Sequence, residues 1–186
     1  MLNYDWHDQI YFLGACPEAI AWAVPYASYT GAWNACPKGH WLIWLLARMA
    51  IDGDVAPRKQ LASVASGLIR QAVPYALDPA AAMALDAIDA WVLTDEPRLS
   101  MMHMGALDAS LTAALVAEEW AAANVVRAVE GITFYCYGFS QSKLCDAVSY
   151  AEQAIVQATN TAPSPTFAVQ VRIAYPQPPV LPGTNR

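Results

Sequence analysis

Charge is what this chain has least of. Asp, Glu, Lys and Arg make up 14% of its 186 residues, against an ordinary share of about 25%. Ten basic residues form no stripe and the net charge is −6, which argues against direct nucleic-acid binding, because a phosphate backbone demands clustered Lys and Arg. The acids are scattered singly or in short pairs such as Glu118-Glu119, so they lend little support to mimicry of a phosphate backbone. Acidity is also a common route to solubility. No stretch reaches the roughly 18 uncharged apolar residues of a membrane span, since the run from Leu42 to Ala47 stops at Arg48. The first fifteen residues hold Asp5, His7 and Asp8 and no basic leader, so no export signal is read and a cytoplasmic location is expected.

Reactive side chains are equally sparse. Cys16, Cys36, Cys136 and Cys145 lack the close C-x₂₋₄-C spacing of a structural zinc site. In a reducing compartment they are expected as free thiols packed like small apolar groups. Histidine occurs at 7, 40 and 103 only. His40 falls in the first turn after Cys36-Pro37, so a Cys-His couple is geometrically conceivable, and a helix start lowers a thiol pKa. No orienting third residue is identifiable, however, and the expected role of His40 is to hydrogen-bond the turn. Asp86 and Asp89 share one helical face and read as a solvated face. Gly-rich phosphate loops, nucleophile elbows, zinc-protease helices and dinucleotide fingerprints do not occur. No catalytic residue, metal or cofactor is expected.

What the chain has is carbon: 56% of its residues are hydrophobic, alanine dominating the middle. A chain this long buries roughly 70% of its unfolded surface without a staple. Proline marks helix starts at Pro17, Pro37, Pro57, Pro79 and Pro97. The pattern predicts an all-α fold, a compact bundle of about six helices near 17–24, 37–50, 57–73, 79–93, 99–130 and 140–159, the fifth breaking near His103 to Gly105. Phe167, Val169, Val171 and Ile173 alternate with smaller or polar residues, which reads as one β-strand. The domain is therefore 1–160, and 161–186 is a linker, a single strand and a proline-rich tail. A strand must pair, with a short strand near Ile132 to Tyr137, with another protein, or with a second copy. The last option makes these four residues candidate partner or dimer contacts in a homodimer. Alternatively the tail lies extended along the helices.

Aromatic residues concentrate in residues 31–46, which hold Trp33, Trp41 and Trp44 around Cys36-Pro37. Trp41 and Trp44 are three apart on one helix face. An indole cluster of this kind is either a core knot or a groove for a ligand or partner. Trp33, His40, Trp41 and Trp44 are the candidate binding residues. An internal echo accompanies them: Ala15-Cys16-Pro17 and Ala35-Cys36-Pro37 each lead to a tryptophan, Trp22 and Trp41.

Ala15-Cys16-Pro17-Glu18-Ala19 with Trp22, then Ala32-Trp33-Asn34-Ala35-Cys36-Pro37 and Trp41-Leu42-Ile43-Trp44-Leu45, resemble a family of immunity proteins of bacterial polymorphic toxin systems, with relatives in phage genomes. Arg58 to Ala62 and Ala87 to Trp91 agree in style, and the resemblance spans about residues 12–158. Members often carry an acid where this chain has His40, and the segment from Phe167 to Arg186 has no counterpart. The resemblance implies an all-α, non-enzymatic inhibitor that neutralises a target protein by binding. That target is a toxin or, for a phage-encoded protein in the host cytoplasm, a defence complex, as in an anti-CRISPR role. The alternatives are an enzyme or a small-ligand binder using Cys36, His40, Trp41 and Trp44.

Overall fold

The computed structural model describes residues 5–50, 54–94, 101–138, 142–161 and 166–181. Among them are ten α-helices: α1 (Trp6–Phe12), α2 (Pro17–Ala23), α3 (Tyr29–Ala35), α4 (Gly39–Met49), α5 (Val55–Ile69), α6 (Ala80–Leu93), α7 (Met101–Val116), α8 (Trp120–Cys136), α9 (Ser142–Thr159) and α10 (Thr166–Ala174). The fold is all-α, with more and shorter helices than the six expected. The Pro97 start and residues 99–100 of the expected fifth helix lie outside the described residues, as do 140–141, 162–165 and 182–186.

An antiparallel hairpin of α8 and α9 forms the centre. α8 is buried on most sides, through Val125, Val126, Val129 and Ile132 among others. α9 meets it with Leu144, Ala147, Val148 and Ala151. Gly131 sets their separation: a Cβ there would lie 2.9 Å from both Ala147 Cβ and the Lys143 carbonyl oxygen. Helices α4, α5, α6 and α7 pack around this hairpin. Fully enclosed Ile43, Leu61, Ile69, Leu85 and Ile88 each contribute about 1.5–3 kcal/mol.

The expected fifth helix is two, and it breaks at 117–119, not near His103 to Gly105. Glu118 takes a left-handed φ of 58°; its N–H donates to the Leu115 carbonyl, and Glu119 N–H to that of Ala114. That pair of reverse bonds is a helix-ending motif that glycine usually signals. No glycine stands here, so the apolar periodicity reads on through the break. Helices α1 and α3 are only seven residues each, too short for a periodic signal.

The expected β-strand is also corrected, because residues 166–174 form α10. Its period-two pattern coincides with a helical one. Phe167, Ala168 and Val171 lie on one face and are buried, whereas Val169 and Ile173 fall on the other and are exposed. A helix satisfies its own backbone groups, which a lone strand cannot, and packing against α4 and α5 overrides β-propensity. The expected partner strand near Ile132 to Tyr137 is helical as well, belonging to α8 as far as Cys136. α10 approaches α4 closely at Gly39, where a Cβ would come within 2.6 Å of Phe167 Cβ. Beyond it the chain bends at 176–177 and continues without regular structure to Leu181, which is buried in the same core.

Candidate functional site

Three of the four candidate binding residues converge. α4 starts after Cys36-Pro37-Lys38 and presents Trp41, Leu42, Trp44 and Leu45 to a pocket that α1, α2 and α3 also line. Those short helices supply Trp6, Trp22, Tyr29 and Trp33, and together they enclose a pocket of about 60 Å³. Five of the seven tryptophans line it, with Ile10, Ala15, Ala19 and Cys36 between them, so the wall is almost wholly carbon. The rings brace one another: Trp22 lies 5.9 Å from Trp41 at 56°, and Trp6 lies 6.0 Å from Tyr29. Outside, the Lys38 ammonium stands 5.2 Å from the centre of Trp41, a cation–π contact. Trp33 is fully enclosed, and its Nε1 has no acceptor among the described residues.

The C-terminal segment holds one side of this pocket in place. The Tyr29 hydroxyl donates to the Pro179 carbonyl at 3.0 Å, and burial raises the Tyr29 pKa above the ordinary phenol range. Arg172 of α10 donates through Nη1 to the carbonyls of Cys36 at 2.7 Å and Trp33 at 3.3 Å. Both carbonyls lie at the end of α3, where helix carbonyls run out of intrahelical donors, and that of Trp33 also accepts from the Cys36 N–H at 3.4 Å.

His40, the fourth candidate, does not line the pocket. Its Nδ1 lies 2.6 Å from Glu152 Oε2 of α9, with side-chain exposures of 16% and 11%. A carboxylate only accepts, so Nδ1 donates. The expected bond from His40 to the turn is thus replaced by a bridge between α4 and α9. Cys36 does not pair with His40 either: its thiol donates to the Lys38 carbonyl at 3.5 Å. Burial pushes that thiol up to about 11, nearby effects such as the Arg172 charge opposing it only in part, so it is a neutral thiol at pH 7 and a poor nucleophile.

Phe167 and Val171 are no surface contacts, since both are buried against the body of the protein, whereas Val169 and Ile173 remain exposed. Asp86 and Asp89 share a largely exposed face, as expected, and they pair there with a cation. Arg70 of α5 bonds Asp86 at 2.7 Å and Asp89 at 2.5 Å, and Ser66 donates to Asp89 at 2.7 Å. Burial lowers the Arg70 pKa, and the hydrogen bonds to the two acids raise it by more. His7 is engaged separately, with Asp5 at 3.0 Å and the Ala23 carbonyl at 3.3 Å. All four cysteines are free thiols. Burial pushes Cys136 and Cys145 up to about 12. Among the described residues no group of three or more His, Cys, Asp or Glu is placed to hold a metal ion, and no helix is long and apolar enough to cross a membrane.

Sequence reasoning missed Trp6, Tyr29 and Glu152. Trp22 was legible in the internal echo, whose two tryptophans meet across the pocket. Glu152 carries a detectable signal too: it falls four residues after Val148, on the apolar face of α9, where an unpaired acid would be costly. No family model, curated protein or solved structure matches the chain.

Proposed function

We propose that the protein acts by contact, neutralising a target protein that places an apolar anchor in the pocket between α4 and the layer of α1, α2 and α3. One observation carries this reading: a carbon-walled pocket, open at the surface, is ringed by five indoles and a phenol. Tryptophan and tyrosine dominate binding energy at protein interfaces because they bury much area at little entropic cost. The resemblance to immunity proteins points the same way, and the target is a toxin or a host defence complex, as for an anti-CRISPR inhibitor. The Cys36 thiol, held neutral and turned to a carbonyl, weighs against the alternative of an enzyme built on Cys36 and His40. A homodimer through the exposed Val169 and Ile173 face of α10 belongs to the same proposal, and light scattering tests it.

The test compares lysate capture by the wild-type protein with capture by Ala19→Leu, which fills the pocket while removing no core side chain, and by Trp41→Ala. A partner retained in stoichiometric amount by the wild type and lost from both variants, with helical circular dichroism unchanged, supports the reading. A partner held equally by all three places the contact elsewhere and refutes the role of the pocket.

A further inference from the structure

Resting on that reading of the pocket, we infer that its occupant is a neutral, branched hydrocarbon group, of the kind that ends a leucine or valine side chain, and that it rejects a methylated ammonium of the same shape. A ring of indoles invites the opposite expectation, because aromatic cages are the usual receptors for quaternary ammonium groups. Three observations speak against a cation here.

The first is the wall. Between the rings it is completed by Ile10, Ala15, Ala19, Leu42 and Leu45, and no carboxylate lines it. A buried charge without a counter-charge is strongly disfavoured. The second is Lys38. Its ammonium already lies 5.2 Å from the Trp41 ring centre, so the cation-attracting potential of that ring is engaged by the chain itself, and a further positive charge would meet repulsion. The third is ring arrangement. Trp22 packs against Trp41 at 56°, and Trp6 against Tyr29 at 40°, so these rings are engaged in tilted contacts with one another.

Size narrows the class further. A closed cavity of roughly 150 Å³ holds benzene, whereas about 60 Å³ is available inside this open pocket. The space suits a branched aliphatic end whose remainder continues out through the mouth. A hydrocarbon group brings no hydrogen-bonding atom to desolvate, and the carbon wall offers it dispersion contacts on every side.

The experiment uses the full chain and an isosteric pair, 3,3-dimethyl-1-butanol and choline, which present the same tetrahedral end with and without charge. Tryptophan emission is titrated with each, in the wild type and in Ala19→Leu. The expected result is a saturable change with the alcohol, choline weaker by at least about tenfold, and loss of the alcohol response in Ala19→Leu. Choline saturating at equal or lower concentration would overturn the inference, as would an alcohol response unchanged in Ala19→Leu, or no saturation with either probe. If neither probe binds while partner capture still depends on Trp41 and Ala19, the contact reading survives and only the occupant chemistry fails.

Discussion

Adding one methyl group at Gly131 separates helix propensity from packing. In an exposed helix interior Gly→Ala stabilises by about 1 kcal/mol. At Gly67 of α5 a new Cβ meets nothing within 4 Å, so Gly67→Ala gains that amount, and Tm rises by roughly 2–4 °C for a chain of this size. At Gly131 the same methyl lies 2.9 Å from Ala147 Cβ and from the Lys143 carbonyl oxygen, and 3.3 Å from Ala147 Cα. None of these is the end of a flexible side chain. Relief requires α8 and α9 to separate, an overpacking penalty of about 1–3 kcal/mol or more, and it disturbs the most extensive helix pair in the fold. With the propensity gain subtracted, Gly131→Ala loses up to about 2 kcal/mol and Tm falls by as much as roughly 4–8 °C. Urea titrations followed by helical circular dichroism, with calorimetry for Tm, measure both variants side by side. If Gly131→Ala proves as stable as Gly67→Ala, the close approach of α8 and α9 is wrong, and with it the placement of Glu152 beneath His40.

Further measurements address the other assignments. His40→Ala leaves the Glu152 carboxylate buried without its donor and lowers stability by on the order of 2–3 kcal/mol; an unchanged urea midpoint would show that the bridge between α4 and α9 does not form. Thiol labelling of the folded protein modifies exposed Cys16 quickly and buried Cys36 and Cys136 slowly; rapid loss of all four thiols would contradict the packing. Because Cys36 and Cys136 are pushed up to about 11 and 12 when folded, against about 8.5 in an unfolded chain, their contribution is complete below pH 8.5. It declines as pH rises towards 11–12, since only the unfolded state then releases protons. Urea midpoints at pH 7.5 and pH 10 therefore fall, and a midpoint that climbs over this interval would reverse the sign. Arg70→Gln removes the donors to Asp86 and Asp89 and, at a site more than a third exposed, lowers stability by about 1 kcal/mol, an effect that weakens in high salt.

Local signals in the chain carry the helical architecture and part of the site. Asp78 before Pro79 marks the start of α6, where its carboxylate accepts from the Ala80 N–H, and the spacing of Trp41 and Trp44 puts both rings on one face. What stays illegible depends on contacts distant in sequence. Nothing near Phe167 announces that Gly39 will leave room for it, so α10 reads as a strand until α4 is beside it. The break at Glu118 hides because a non-glycine residue takes a left-handed turn. The alternation of Phe167 and Val171 with Val169 and Ile173 is shared by two periods, and only the presence of a core on one side decides between them. The pocket is half legible for the same reason: α4 declares its indoles, while α1 and α3 are too brief to declare theirs.

The clasp between Tyr29 and Pro179 spans 150 residues, and the Arg172 bonds to α3 reach nearly as far back along the chain. On a ribosome adding about 5–20 residues per second, Tyr29 waits roughly 8–30 seconds for its acceptor to be made. During that interval the indole-bearing layer is greasy, incompletely anchored and without its finished cavity. The cavity is therefore finished only once Arg172 and Pro179 have been made, and a chain cut short before Arg172 would display sticky aromatics without that anchor.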